Sequence, residues 1–390
     1  MTALARLLAL AAFGIAALAT NSSAQATERG RAGLFEQLAS PDAQRATALA
    51  QQAALLLAEA QSAMPNDWET ICRATLGLRG ASEAVASLRG KALALEELAR
   101  DTLRAQTRVQ AAVERLERAR KLEPSDPAMM HAHASALSLW QDLGPPWECS
   151  VQRRDDDAIA LLEELSVKHP SYAPERVAFE LGVLLTRSGR FVEATAAYAR
   201  ADALSIESDA GVARANLAET QMLAGDLESA IESYTRALEK AQAGHGHALA
   251  VWGLAVALDR SGDHARALER LQRAFGASGE GLLVLRGEGV FFVPAYEVHA
   301  YEALGHEARA QLLTEPQEQG AALRAAATGH RAFIAGAAHA QRAGAQAGAG
   351  QAATGYEATA REGLTRVLAK LEELSKRQRK VKNRKPALKL

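Results

Sequence analysis

A period of 36 to 37 residues limits what this chain can fold into more than any other feature. Gly189, Gly225 and Gly262 mark the period. A leucine stands eight positions before each of these three glycines, and the residue after that leucine is a glycine or an alanine. Alanine recurs five and twelve positions after each of the three glycines. Repetition at this spacing is typical of units that bury their apolar faces only by stacking on their neighbours.

Each unit is predicted to be a pair of helices joined at the marker glycine. A glycine in the left-handed conformation ends the first helix, and Asp226 and Asp263 follow where a side-chain oxygen caps the second. Small residues, such as Gly182 and Ala194, let the two helices cross closely. Alanine, the best helix former, makes up 88 of the 390 residues, whereas 5% are aromatic. We therefore predict an all-α protein, a helical-repeat solenoid.

These columns resemble the tetratricopeptide repeat, on the residues Leu181, Gly182, Gly189, Ala194, Tyr198 and Ala201 and their equivalents in the next two units. The repeat region is expected to cover residues 173–315, with three concordant units and a degenerate fourth. Residues 127–172 look like an atypical repeat whose turn is expanded by an insertion at residues 144–149. The family's fold is an array of helix pairs, and that is what the resemblance implies here.

The resemblance also implies that the first helices of the repeats line a groove that binds a protein or peptide. Carried over column by column, the groove residues are Arg176, Phe179, Val183, Thr186, Glu219, Met222, Trp252, Val256 and Asp259. Trp252 and Phe179 are expected to be anchors, because aromatic residues concentrate binding energy. Packing inside the repeats is the alternative for each apolar member. An apolar or helical ligand suits these columns better than a C-terminal carboxylate.

The N-terminal third of the chain carries the signals for export. Residues 1–26 combine Arg6, an apolar run and Ala24-Gln25-Ala26, which is typical of a secretory signal peptide. A retained membrane anchor is the alternative. Export predicts a periplasmic or secreted protein and favours a disulfide between Cys72 and Cys149 over two unpaired cysteines. Residues 27–126 are predicted to form amphipathic helices, either degenerate repeats or a coiled-coil arm.

The last hundred residues are predicted to be more irregular. Two β-prone runs within residues 282–293 favour a small hairpin, with a buried irregular loop as the alternative. Residues 316–355 are rich in alanine and glycine and are expected to form a flexible linker. A helix at 356–375 then precedes a basic tail, residues 376–390, with eight basic residues and no acidic one. Such tails are usually disordered.

Reactive residues do not form a catalytic pattern in the sequence. It contains no Gly-x-Ser-x-Gly, phosphate-binding glycine loop or His-Glu-x-x-His motif. We expect surface histidines, and not metal ligands, in the pairs His131/His133 and His245/His247. Residues two positions apart on a helix point in different directions, so the two members of a pair do not face one metal ion. Asp155, Asp156 and Asp157 are expected to start a helix, where they complement its dipole.

Together these features predict a non-enzymatic scaffold of the bacterial cell envelope. We expect no catalytic residue, no metal and no cofactor. The expected partner is a protein or peptide of the envelope, and not a nucleic acid. The alternative is an envelope-surface protein that attaches to anionic lipid or polysaccharide through residues 376–390.

Overall fold

The part of the chain that a computed structural model describes is almost entirely helical. It comprises residues 40–61, 86–143, 151–205, 210–240, 244–285, 290, 292–347 and 355–384. The chain divides into two compact units, one reaching to Leu184 and the other running from Leu185 onward. The predicted signal peptide, Cys72 and Cys149 lie outside the described residues, so the disulfide and the export signal stay predictions.

The described residues of the first unit form four helices before residue 174. Helix α1 (Pro41–Gln61) and helix α2 (Ala86–Leu122) pack against each other. Helix α3 (Pro127–Leu139) is capped by Asp126, which accepts a hydrogen bond from the backbone N–H of Ala128 at 2.8 Å. Helix α4 (Asp155–Lys168) packs on α3 and begins with three aspartates, as predicted.

A two-stranded ribbon separates α3 from α4. Strand β1 (Gln141–Leu143) pairs antiparallel with β2 (Val151–Arg153), with Asp142 opposite Gln152. Gln106 on α2 accepts a hydrogen bond from the backbone N–H of Gln141 at 3.0 Å. The ribbon therefore closes the base of the insertion that the sequence places after α3, and it is held to α2.

The three predicted helix pairs are confirmed, with their turns at the marker glycines. The helices are α5 (Pro174–Arg187), α6 (Phe191–Leu204), α7 (Ala210–Leu223), α8 (Leu227–Lys240), α9 (His245–Arg260) and α10 (His264–Phe275). The φ angles of Gly189, Gly225 and Gly262 are 71°, 93° and 93°, the left-handed region in which glycine is favoured. Asp226 and Asp263 accept hydrogen bonds from the N–H groups of Ser229 and Arg266, so both caps form as expected.

Close approach between α8 and α9 depends on one glycine. A Cβ atom at Gly253 would overlap the ring of Tyr234, a buried side chain of α8. We expect Gly253→Ala to lower the free energy of unfolding by about 1–3 kcal/mol, because the ring has no space to move into. Gly246→Ala is the matched control: it lies on the same helix, and its Cβ would meet nothing within 4 Å. Urea denaturation of both variants tests this, and equal stabilities would contradict it.

The predicted hairpin is wrong over residues 282–284. That stretch belongs to a short helix, α11 (Glu280–Val284). Gly281 is buried so tightly against Phe275 that a Cβ atom would overlap the ring. The close packing of this helical turn against α10 outweighs the β-propensity of its leucines and valine.

The predicted linker is wrong over residues 316–347. After a 3-10 turn (Ala295–Glu297) and helix α12 (Val298–Leu312), helix α13 runs from Pro316 to Ala347. Its small residues pack closely rather than loosely: Ala326 and Ala337 are fully buried, and a Cβ atom at Gly336 would overlap Tyr296. Alanine favours the helix, and close packing against α12 and the 3-10 turn stabilises it.

The predicted disorder of the basic tail is also wrong over residues 376–384. Helix α14 (Glu357–Arg384) continues the helix predicted at 356–375 into that segment. Its Val367 packs with Ala326 and Leu323 of α13, and its Ala360 packs with Phe333. None of the described helices combines the length and apolar character that a membrane crossing requires.

Candidate functional site

The predicted groove residues are largely covered by neighbouring helices. Val183, Thr186, Met222, Trp252 and Val256 are buried. Arg176, Phe179, Glu219 and Asp259 are half-buried. Residues 250–258 of α9 are all buried, so this helix has no open groove face over its central turns.

Trp252 is a core residue and not an exposed anchor. Its side chain is 1% exposed, and its indole N–H donates a hydrogen bond to the carbonyl of Gly281 at 3.0 Å. The indole stacks on Phe275 with ring centres 5.3 Å apart, and Gly305 of α12 lies directly against it. The prediction that this indole faces a partner is wrong, because α11 and α12 cover it.

Glu219 is also held inside the second unit. Its carboxylate accepts hydrogen bonds from the hydroxyl groups of Tyr234, at 3.0 Å, and Tyr301, at 3.3 Å. Burial raises the pKa of this carboxyl, and the tyrosine hydroxyls work in the opposite direction. Glu219 therefore links α7, α8 and α12, and its oxygens are occupied by neighbours in the fold.

In the first unit, Arg176 belongs to an ion-pair group with His131. Glu180 accepts a hydrogen bond from the Nε atom of Arg176 at 3.0 Å and lies 2.9 Å from the Nε2 atom of His131. Burial opposes ionisation of Glu180, but His131 and Arg176 outweigh it and lower its pKa to about 2. The prediction of a surface histidine is wrong for His131, which is 3% exposed because α5 supplies it with a carboxylate.

His133 is likewise buried rather than exposed, and the described residues give neither of its ring nitrogens a hydrogen-bond partner. Burial, together with the charges of Arg120 and Arg154, lowers its pKa to about 4. The unfolded chain therefore binds a proton at this site at higher pH than the folded chain does. Stability contributed by neutral His133 is complete above about pH 6.5 and falls as the pH drops toward 4.

We expect the first unit to lose about 2 kcal/mol between about pH 7 and about pH 5 through His133. Hydrogen exchange in α3 and α4, corrected for the intrinsic rate at each pH, measures this loss. His133→Leu should remove it, while His339→Leu, at an exposed position of α13, should leave it unchanged. Comparison with wild type at the same pH cancels the other titrations. An undiminished pH dependence in His133→Leu would contradict the assignment.

A buried group of side chains lies where α7 and α9 end, and we call it the Arg260 cluster: Arg260, Glu297, Tyr356 and the carbonyl of Met222. Arg260 and Glu297 form an ion pair, and each side chain is 2% exposed. The guanidinium lies 4.0 Å from the ring centre of Tyr356. The Tyr356 hydroxyl donates a hydrogen bond to the Met222 carbonyl at 2.6 Å. Tyr356, just before α14, thus contacts a predicted groove residue.

A second group, the Glu307 cluster, consists of Glu307, Asp259, His264, His330, Arg366 and Lys370. Glu307 lies 3.1 Å from His330, 3.4 Å from His264 and 3.4 Å from Lys370. Burial opposes ionisation of Glu307, but the hydrogen bonds of the two histidines and nearby positive charge hold its pKa well below its usual range. Asp259 lies 2.7 Å from His264 and 3.4 Å from Arg366 of α14.

The two clusters cover part of the predicted groove in the second unit. Burial opposes protonation of His264, but Asp259 and Glu307 outweigh it and raise its pKa. Helix α14 supplies Arg366 and Lys370 to these carboxylates, and Tyr356 lies on Arg260. Two predicted groove residues, Met222 and Asp259, are therefore contacted by the chain itself. Sequence reasoning missed Tyr356, His264 and Glu307, since their partners lie on other helices. Apart from Asp259, which is 5 residues from His264, these partners are 23 to 134 residues away.

Comparison with known families agrees with the hairpin geometry. The family model described as the tetratricopeptide repeat matches residues 213–244, which cover α7, the Gly225 turn and α8. Residues 213–244 therefore carry a tetratricopeptide repeat. The columns of the matched unit recur around Gly189 and Gly262, so the same hairpin is present three times in succession. No curated protein matches the sequence at a significant level.

Solved structures of other proteins match this chain at low sequence identity. PilW, a type IV pilus biogenesis factor, is 20% identical, with 57% of this chain and 100% of that chain covered and a TM-score of 0.34. The Cut9 complex with Hcn1 from the APC/C is 15% identical, covering 92% and 62%, with a TM-score of 0.40. The human IFIT1 dimer is 12% identical, covering 78% and 73%, with a TM-score of 0.37. All three TM-scores are below 0.5, and we infer nothing about this chain from these likenesses.

The described residues offer no arrangement for metal chemistry. No group of three or more histidine, cysteine, aspartate or glutamate side chains is placed to hold a metal ion in the part of the chain that the structure covers. The buried carboxylates are instead paired with arginine, lysine, histidine or tyrosine. Both clusters thus connect helices of the second unit through buried ion pairs and hydrogen bonds.

Proposed function

We propose that this protein is a non-enzymatic scaffold of the bacterial cell envelope that binds a segment of another protein along the first helices of its tetratricopeptide repeats. The single observation that carries the proposal is the succession of three such hairpins with intact marker glycines. Repeats of this kind generally mediate protein–protein interaction. The export signal predicted from the sequence supports a location in the cell envelope.

The buried residues limit which part of the repeats can contact a partner. Trp252 and Val256 are enclosed, so the third repeat contributes little direct contact. Ala215 on α7 is half-buried, lies one turn before Glu219, and is the equivalent in the second repeat of the predicted groove residues Phe179 and Trp252. The accessible part of the proposed surface in the second unit is therefore centred on α7. An apolar, helical partner segment suits a column of this composition.

Site-specific photo-crosslinking tests the binding face. A photoreactive residue replaces Ala215 on the groove face or Val192, which is 76% exposed on a second helix of the repeats. Both full-length variants are incubated with envelope extract and, separately, with cytosolic extract. The proposal predicts a discrete crosslinked protein from position 215 and from envelope extract, and none from position 192. Crosslinks of equal yield from both positions, or a partner found only in cytosolic extract, would contradict it.

A second candidate function rests on the exposed end of α14. Residues 375–380 are all exposed, and Lys376 and Arg377 have 66% and 73% of their side-chain surface in solvent. Each pairs with a glutamate one turn earlier, Glu372 or Glu373, but Arg379 and Lys380 add further positive charge. A cationic segment of this kind is attracted to anionic lipid or polysaccharide, by about 1 kcal/mol per basic residue at a lipid surface.

Vesicle binding separates this candidate from the scaffold. The full chain is mixed with vesicles of equimolar phosphatidylglycerol and phosphatidylcholine, or of phosphatidylcholine alone. Attachment through α14 predicts binding only to the anionic vesicles, weakened by salt and lost when Lys376, Arg377, Arg379 and Lys380 are replaced by glutamate. Binding that survives this charge reversal, or no binding at low salt, would exclude the candidate.

A further inference from the structure

The surroundings of Tyr356 have the chemistry of a binding slot for a phenol ring. One face of the ring lies against the Arg260 guanidinium, at 4.0 Å from the ring centre. Phe333, Ala337 and Ala300 belong to the apolar group with which Tyr356 packs. The Met222 carbonyl accepts the hydroxyl hydrogen at 2.6 Å. A cation over the face, apolar walls and an acceptor beyond the ring recognise a tyrosyl side chain in particular.

The floor of the slot is fixed independently of Tyr356. Glu297 holds Arg260 by an ion pair, and Arg260 retains a buried Nη1 atom that has no hydrogen-bond partner among the described residues. The Met222 carbonyl also accepts the N–H of Gly225 at 3.0 Å, within the marker turn of the second repeat. Both recognition groups therefore stay in place when the ring leaves.

Tyr356 is placed so that it can leave without undoing α14. It precedes the first residue of that helix, which is held on α13 by Ala360 one turn further on and by Val367 three turns further on. A Cβ atom at the preceding Gly355 would meet nothing within 4 Å, so the backbone there is not enclosed by packing. A change of torsion angles at Gly355 and Tyr356 would therefore release the ring while Ala360 and Val367 stay packed on α13.

We propose that this slot is a recognition site for a tyrosine of the partner segment, and that Tyr356 is its occupant within the chain. The proposal rests on the scaffold function and names the side chain that the partner presents. An incoming tyrosine replaces the phenol of Tyr356 on Arg260 and donates its hydroxyl hydrogen to the Met222 carbonyl. The internal occupant lowers the apparent affinity for the partner. That affinity equals the affinity of the empty slot multiplied by the fraction of molecules in which the slot is empty.

The test uses full-length wild type and Tyr356→Ala with two synthetic peptides. One peptide has the sequence of residues 351–362, and the other is identical except that phenylalanine replaces the tyrosine. Tyr356→Ala should bind the tyrosine peptide about fivefold more tightly than the phenylalanine peptide, the factor given by one neutral hydrogen bond. Wild type should bind the tyrosine peptide at least about tenfold more weakly than Tyr356→Ala does.

Three results would overturn the proposal: no peptide binding by folded Tyr356→Ala, equal binding of the two peptides, or equal binding by wild type and variant. Tyr356→Phe keeps the ring and loses only the hydrogen bond, so it serves if the alanine variant does not fold. It should bind the tyrosine peptide more tightly than wild type does. Crosslinking of a partner at position 215 with no peptide effect would leave the scaffold function standing and this site refuted.

Discussion

Trp252→Ala is expected to lower the free energy of unfolding of the second unit by about 3–5 kcal/mol, the usual cost of removing a buried aromatic side chain. The indole is 1% exposed, stacks on Phe275 and donates a hydrogen bond to the Gly281 carbonyl. Its loss leaves a cavity and an unpaired carbonyl between α9, α11 and α12. Urea denaturation followed by circular dichroism measures the effect.

Leu283→Ala is the control for Trp252→Ala. Leu283 lies on α11 beside the indole site but is 67% exposed, so its truncation should change stability by no more than about 0.5 kcal/mol. Partner crosslinking at position 215 should fall in Trp252→Ala only in proportion to the unfolded fraction. A stable Trp252→Ala variant that has lost partner binding would instead restore Trp252 to the binding surface.

Arg260→Met is expected to lower the free energy of unfolding by about 3–5 kcal/mol, because it leaves the Glu297 carboxylate buried without its counter-charge. The double variant Arg260→Met, Glu297→Met should recover most of that loss, since apolar residues of similar volume replace a buried ion pair at little cost. Denaturation of the two single variants and the double variant completes a mutant cycle.

The matched control for this cycle is an exposed ion pair on α8. Arg236 and Glu232 have 60% and 63% of their side-chain surface in solvent, and Arg236→Met should therefore change stability by no more than about 0.5 kcal/mol. A double variant at positions 260 and 297 that is as unstable as Arg260→Met alone would show that the ion pair is not the source of the loss.

The hairpins were predictable from sequence because their determinants are local. A glycine at positive φ, an aspartate cap after it and small residues at the crossing lie within one period of 36 to 37 residues. Gly225 and Asp226 illustrate this, since the turn and the cap form between neighbours in the chain. The family resemblance located the same turns without any knowledge of the tertiary contacts.

The groove was not predictable from its columns, because a column states where a side chain points and not what covers it. Trp252 points from the expected position, but α11 and α12 lie on it. One signal was available: α9 is apolar around its circumference from Ala250 to Leu258, which is typical of a helix buried on all sides. The segment predicted as a linker contained a similar signal for a buried helix, since four apolar residues follow a helical spacing: Ala322, Ala326, Phe333 and Ala337.

The pairings of the two clusters could not be predicted from one sequence. Arg260 and Glu297 are 37 residues apart, Glu307 and Lys370 are 63 apart, and Tyr356 and Met222 are 134 apart. Each contact depends on the stacking of several helices. The sequence around a single charged or aromatic residue does not identify the distant residue that it contacts. The pairing of α14 with the predicted groove residues follows only from the tertiary structure.

Tyr356 occupies a slot on the repeats of its own chain, and photo-crosslinking from that position tests this placement most directly. Benzoylphenylalanine replaces Tyr356 in the full-length protein, the sample is irradiated, and the joined peptides are mapped by mass spectrometry. We expect crosslinks within single chains to residues 210–223 and 245–260, the helices that carry Met222 and Arg260. Crosslinks that avoid both helices, or that join two chains, would contradict the claim.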